Sequence, residues 1–322
     1  LKIIYRYFRS ILHRFLRSLK IHGNYEIEKT NKILSLKDKN VFFGYYDKTP
    51  FSHDDSKVLA VTTKEHVKPL IQPIKGSVGY FDLEDNNKFI EIGKTNTINW
   101  QQGCRLMWHP KYNSQMLYNT AENGKYFTKV FDTLTNKHMA DIPVPIYDID
   151  SQGENIATLN FSRLHNHRSG YGYVNYPDEN EKEYSPENDG VWLFNIASGG
   201  KELLCRLNDL KLLNYSNNMD NSFHYINHLS FNPSGSKLLF YHLWYSPKGR
   251  WCIPYVYDMD KGSVKEISLM HKASHYTWLD NDQILIYSKE NNVFNYHLYN
   301  LVNNEFRTIG SDLLIEDGHP TF

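Results

Sequence analysis

The chain has 322 residues, room for one large all-β domain or two smaller ones. Its 36 Lys and Arg balance 36 Asp and Glu, so no whole-chain field points to nucleic acid. Three cysteines, Cys104, Cys205 and Cys252, are far apart and form neither a disulfide framework nor a CxxC zinc motif. No span of about 20 apolar residues reads as a transmembrane helix, and no signal-peptide pattern is visible. A reducing compartment, the cytoplasm, is the expected location.

Residues 1–20 stand apart. Leu1, Ile4, Phe8, Ile11, Leu12, Phe15, Leu16 and Leu19 follow helical spacing, with Lys2, Arg6, Arg9, His13, Arg17 and Lys20 largely between them. The first acidic residue is Glu26. The expectation is a basic amphipathic helix over 1–22. It packs on protein, lies on an anionic membrane surface, or is the remnant of a clipped targeting segment.

From residue 23 onward the expected architecture is all-β. Short β-rich runs alternate with Gly, Asn, Asp and Pro turns. One pattern recurs: an aromatic or apolar residue, a polar turn, then an apolar strand. It reads Phe-Ser-His-Asp-Asp-Ser-Lys-Val-Leu from 51, Trp-His-Pro-Lys-Tyr-Asn-Ser-Gln-Met-Leu from 108, and Ile-Asp-Ser-Gln-Gly-Glu-Asn-Ile-Ala from 149. It returns as Phe-Asn-Pro-Ser-Gly-Ser-Lys-Leu-Leu from 231 and Trp-Leu-Asp-Asn-Asp-Gln-Ile-Leu from 278. Each copy predicts a hairpin. The spacing of these anchors, about 40–60 residues with one gap near 80, matches four-stranded propeller blades. The long gap holds a polar, Tyr-rich insertion over 165–188. The expectation is a β-propeller of about six blades. The sixth hairpin starts at Phe322 and is cut short, its outer strand supplied by residues 24–35, with an open edge beside blade one or five.

The residues three before each anchor are Lys48, Arg105, Ile146, His228, His275 and His319. Innermost strands line the channel of a propeller, so these positions converge on one ring. The returning strands end at Thr62, Thr120, Asn160, His242 and Ser288 near the same mouth, with Arg163 just beyond. A cationic, imidazole-rich mouth suits an anionic ligand. No dinucleotide-binding, P-loop or nucleophile-elbow motif competes with this reading.

At this point the residues resemble a family. The hairpin repeat looks like the TolB-type propeller repeat. His228-Leu-Ser-Phe-Asn-Pro, Tyr241-His242-Leu-Trp244, Ser274-His275-Tyr-Thr-Trp278 and Asp317-Gly-His319-Pro resemble segments of the oligogalacturonate lyase family. The resemblance spans roughly 41–322 as a fold and is specific over 224–322. It implies a divalent, manganese-like metal held by His242, His275 and His319. It implies His228 as base, with Arg105 and Arg163 beside the reacting centre. Lys48, Tyr171 and Trp244 are the expected substrate contacts. The implied reaction is metal-assisted β-elimination on an acidic, uronate-containing saccharide. The alternatives are a non-catalytic propeller that binds a glycan or protein partner, in surface-polysaccharide biosynthesis for example, or a carbohydrate hydrolase or transferase.

Overall fold

Five repeats of the hairpin pattern become five antiparallel four-stranded sheets, each a meander in chain order. The structure is a computed structural model that describes residues 33–65, 70–247, 249–267, 272–290, 293–314 and 316–322. The expected helix over 1–22 and most of the expected strand over 24–35 lie outside the described residues.

Blade one comprises β1 (Asn40–Phe42), β2 (Lys57–Thr63), β3 (Gly76–Asp82) and β4 (Lys88–Thr95). Blade two comprises β5 (Met107–Trp108), β6 (Gln115–Glu122), β7 (Lys125–Asp132) and β8 (Lys137–Ile142). Blade three comprises β9 (Asp148–Ile149), β10 (Asn155–Thr158), β11 (Gly190–Asn195) and β12 (Lys201–Arg206). Blade four comprises β13 (Phe223–Phe231), β14 (Lys237–Ser246), β15 (Gly249–Asp258) and β16 (Ser263–Glu266). Blade five comprises β17 (Ala273–Trp278), β18 (Gln283–Glu290), β19 (Val293–Asn300) and β20 (Phe306–Ile309). The fold is a β-propeller, with every anchor of the repeat at the end of an innermost strand or, for Phe51, in a bridge to Val58.

The local chemistry of the hairpins explains why the pattern folds this way. After each anchor a side chain accepts backbone N–H groups and tightens the turn. Asp54 takes Ser56, His109 takes Lys111, and Asp150 takes Glu154. Asn232 takes Lys237, and Asp280 takes Asp282 and Gln283. Apart from that of His109, these are bonds of the kind that make Asn and Asp turn formers.

Burial follows position within the blade. In β14 Leu238, Leu239, Phe240, Tyr241, His242, Leu243 and Trp244 are all buried, because a central strand packs against neighbouring blades on both faces. Outer strands are polar and carry cations, as with Lys137, Lys201, Lys265 and Arg307. Such charges protect a sheet edge from pairing with another chain. The apolar core accordingly lies between sheets. Val61 and Val78 pack with Met116 and Tyr118, and Leu117 and Val130 pack with Ile149 and Ile156.

Two features depart from the expected texture. The insertion opens on a short helix, α1 (Phe161–His167), capped by Asn160, whose side chain accepts the N–H of Arg163. A second, α2 (Leu207–Leu213), follows β12. Residues 316–322 form no strand, so the sixth hairpin expected at Phe322 is not among the described elements. Among the described residues no helix is long and apolar enough to cross a membrane.

Candidate functional site

The innermost segments of all five blades are joined around the channel by hydrogen bonds. Asp47 accepts both terminal nitrogens of Arg105, at 3.1 and 2.8 Å. The Nε of Arg105 donates to the carbonyl of Tyr147 at 2.9 Å. The N–H of His228 donates to the Tyr147 hydroxyl at 3.0 Å, and the Tyr276 hydroxyl donates to the His228 carbonyl at 2.9 Å. The Tyr46 hydroxyl donates to the Tyr276 carbonyl and accepts its N–H, both at 2.9 Å. The circuit thus runs through blades one to five and returns to blade one. Blades five and one are linked at the axis by a tyrosine, while their sheets share no strand pairing among the described residues.

Of the residues that register places on one ring, Arg105, His228, His275 and His319 each meet the segment from Tyr45 to Asp47, whereas Ile146 packs in the apolar cluster with Leu117 and Val130. Their roles diverge. Lys48 pairs with the buried carboxylate of Asp148, which also accepts the N–H of Phe231. Arg105 is buried and spent on Asp47 and Tyr147, its backbone at φ +53°. Burial disfavours charge on Asp47, but Arg105 and Lys48 override it and hold its carboxyl below the ordinary value.

The imidazoles form a graded surface with tyrosines. At the open end the exposed His319 stacks on Tyr46, with centroids 4.5 Å apart and planes at 7°. His275 meets His319 edge to face at 4.5 Å, and its Nδ1 lies 2.9 Å from Asp317. Tyr45 touches all three imidazoles, at 5.6 Å from His319, 6.3 Å from His275 and 5.7 Å from His228. Around His228 stand Tyr171, Tyr241 and Tyr276 at 6.1, 5.1 and 6.3 Å. The wall of a cleft of about 910 Å³ includes Tyr45, Tyr46, Trp100, Trp278 and His319.

His228 sits deepest. Its φ is +57°, at the bulge where β13 loses register with β14 between Asn227 and Ser230. A non-glycine residue held there is strained unless its surroundings fix it, and the bonds from Tyr276 and to Tyr147 do so. Burial, reinforced by Arg168, His275 and Arg105, pushes the His228 imidazole well below its ordinary value, so it is neutral near pH 7. Burial likewise lowers His319 and raises the Tyr45 phenol.

Several buried polar atoms around this surface have no partner among the described residues: the hydroxyl of Tyr45, Gln102 Oε1, Asn227 Nδ2 and Arg168 Nε. Unsatisfied groups at this density mark a place for ligand or solvent. Arg168 lies 4.5 Å over the Tyr171 ring and makes no ion pair among the described residues. Neither Tyr45 nor Arg168 was singled out in the sequence. The usable signals were the Gly-Tyr-Tyr-Asp run at 44–47, just before Lys48, and the Arg-Ser-Gly-Tyr-Gly-Tyr run from 168. Gly172 holds the latter run on α1, for a Cβ there would meet the Phe161 carbonyl oxygen at 2.1 Å.

Three expected residues belong elsewhere. His242 follows Tyr241 on β14. Tyr241 faces His228, so alternation turns His242 to the opposite face, where its Nε2 lies 2.8 Å from His224 Nδ1. Trp244 shares that parity. It is buried, stacks on His224 and Trp251, and gives its indole N–H to Asn218. Arg163 is buried with all five donors used, on His224, Asp178, Asn180, Glu183 and Tyr184. It clamps the insertion and has no donor left for a substrate.

The expected metal does not fit. His242 is turned to His224, apart from His275 and His319, and no group of three or more His, Cys, Asp or Glu side chains among the described residues could hold a metal ion.

No family model matches the chain, and no curated protein does. Among solved structures it is similar to TolB-like propellers. TolB from Acinetobacter baumannii is 13% identical, with TM-score 0.43 over 83% of this chain and 53% of TolB, so the chain spans about half of TolB's length. An oligogalacturonate lyase in complex with manganese is 13% identical, with TM-score 0.42 over 85% of this chain and 79% of the lyase. The β-propeller domain of the Trilobed protease from Pyrococcus furiosus is 14% identical, with TM-score 0.47 over 80% and 67%.

Proposed function

We propose that this propeller binds an acidic saccharide at the channel cleft. The observation that carries the reading is the continuous run of ring contacts from His319 through Tyr46 and Tyr45 to His228, with the guanidinium of Arg168, which has no ion pair among the described residues, over Tyr171. Flat rings cover pyranose faces. Unpartnered hydroxyl and amide groups suit sugar hydroxyls, and a guanidinium without a carboxylate suits a uronate. The cation that meets the acidic group is then Arg168, with Arg105 and Arg163 holding the scaffold.

One observation favours elimination as a second reading. His228 is neutral, and no hydrogen-bond partner reaches its imidazole among the described residues. Such a group can take the proton beside a uronate carboxylate. The electron pair of that C–H bond forms the carbon–carbon double bond as the glycosidic C–O bond breaks, and the leaving oxygen takes a proton from a tyrosine or water. No metal enters this reading.

Calorimetric titration with uronate oligomers and with their carboxyl-reduced neutral counterparts separates the outcomes. Uronate binding should weaken at least tenfold in Tyr171→Ala and in Arg168→Gln. Equal affinity for the neutral oligomers, or no binding of either, overturns the reading. Unsaturated product, followed by absorbance in the same samples and lost in His228→Ala, establishes elimination.

A further inference from the structure

We propose that the buried pair His224 and His242 is a proton-sensitive latch on the segment that carries Arg168 and Tyr171. The consequence for ligand affinity rests on the site proposed above; the latch itself does not.

The proton positions in the pair follow from its partners. His224 Nε2 lies 3.2 Å from the Met219 carbonyl, an acceptor only, so this nitrogen carries the proton. His224 Nδ1 is then an acceptor, and His242 Nε2–H donates to it at 2.8 Å. That leaves His242 Nδ1 as a bare lone pair, buried without a partner among the described residues. Both residues are 0% exposed. A further proton has two places to go. On His242 Nδ1 it makes a buried cation with nothing to accept from it. On His224 Nδ1 it sets N–H against N–H unless His242 shifts its own proton to Nδ1. Either puts an uncompensated cation in the interior, which favours release of the pair.

No carboxylate compensates. The charged groups acting on His224 are Arg163 from α1 and Lys211 from α2, both cations, and on His242 the other imidazole. Trp244 and, from β15, Tyr255 face the pair as uncharged rings. Asp178 and Asp220 are engaged by Arg163 and Lys211 respectively.

His224 also holds the insertion by its backbone. Its N–H donates to the Tyr184 carbonyl at 2.8 Å, and its carbonyl accepts Arg163 Nε at 2.6 Å. Arg163 in turn donates to the carbonyls of Asn180, Glu183 and Tyr184 at 2.8–3.0 Å. Displacing His224 therefore loosens residues 178–184 and α1 together, and Arg168 caps the C-terminal end of α1.

The direction with pH follows from burial, which pushes His224 down to about 4 and His242 well below the ordinary 6.5. A buried neutral imidazole adds its full stability above about 6.5, its unfolded value, and loses it as pH falls from there towards the folded value. The latch is closed near pH 7 and opens on acidification.

The test is hydrogen exchange without saccharide, corrected for the intrinsic pH dependence of exchange. Protection of 178–184 should fall at least tenfold from pH 7 to pH 5 relative to β18. In His242→Gln, whose amide can still donate to His224, this selective loss should shrink. His167→Gln, which removes another buried imidazole of the insertion, should leave it intact. Nitrogen chemical shifts of the wild-type imidazoles, which need no variant, should report neutral His224 protonated on Nε2 at pH 7. Protection that tracks β18 at every pH, an unchanged loss in His242→Gln, or the opposite tautomer overturns the latch. Selective opening with pH-independent uronate affinity leaves the latch standing and counts against the ligand site.

Discussion

An arginine's role is decided by how many of its five N–H donors are already used. Arg163 has none spare and Arg105 spends its guanidinium on Asp47 and Tyr147, whereas Arg168 meets only tyrosines and leaves Nε unpaired. The consequences for stability and binding should therefore separate. Arg163→Met strands Asp178 in the interior and should cost about 3–5 kcal/mol in urea denaturation, as removal of one partner of a buried pair does. Adding Asp178→Leu should recover part of that loss. Arg168→Gln should change stability by less than about 1 kcal/mol while weakening the uronate complex. A stability loss in Arg168→Gln as large as that of Arg163→Met would reverse the assignment.

Among the elements, β13 and β14 set the site. The bulge in β13 puts His228 at φ +57° with its ring among Tyr45, Tyr171 and Tyr276, and the two-residue period of β14 sends Tyr241 to that ring and His242 away from it. The left-handed backbone costs an ordinary L-residue roughly 1–2 kcal/mol, more for a β-branched one, and costs glycine almost nothing. His228→Gly should consequently be more stable than His228→Val by at least about 1 kcal/mol, although valine buries more apolar surface. Equal urea midpoints for the two variants would mean the bulge relaxes when the imidazole is removed.

At the scale of the whole molecule, the five blades hold together through their apolar interfaces and through one polar circuit at the axis. Tyr46 closes that circuit with two hydrogen bonds to the backbone of Tyr276. Tyr46→Phe keeps the stacked ring against His319 and removes both bonds. It should cost about 1–3 kcal/mol, the penalty for leaving buried backbone groups unpaired. Native-state hydrogen exchange should show the loss first in β17 and in residues 43–50, ahead of β6 and β7. A uniform loss across the blades would place the closing contact elsewhere.

The repeat, its turns and the polarity of the outer strands were legible in the sequence because neighbours within a few residues determine them. Asn232 tightens its own turn, and Lys265 protects its own edge. The recurrence of basic or imidazole side chains at 48, 105, 228, 275 and 319, broken by Ile146, was legible for the same reason, since register repeats with the hairpin. What those residues do was not legible. Asp47 and Asp148 claim Arg105 and Lys48, and Asp178 and four backbone carbonyls, of His224, Asn180, Glu183 and Tyr184, claim Arg163. Tyr45 reaches His228 from 183 positions away in the chain, bringing an aromatic surface to the imidazoles that no local pattern announces. Local geometry selects strands and turns. Only closure of the ring decides which charges are neutralised from within and which remain to meet a ligand.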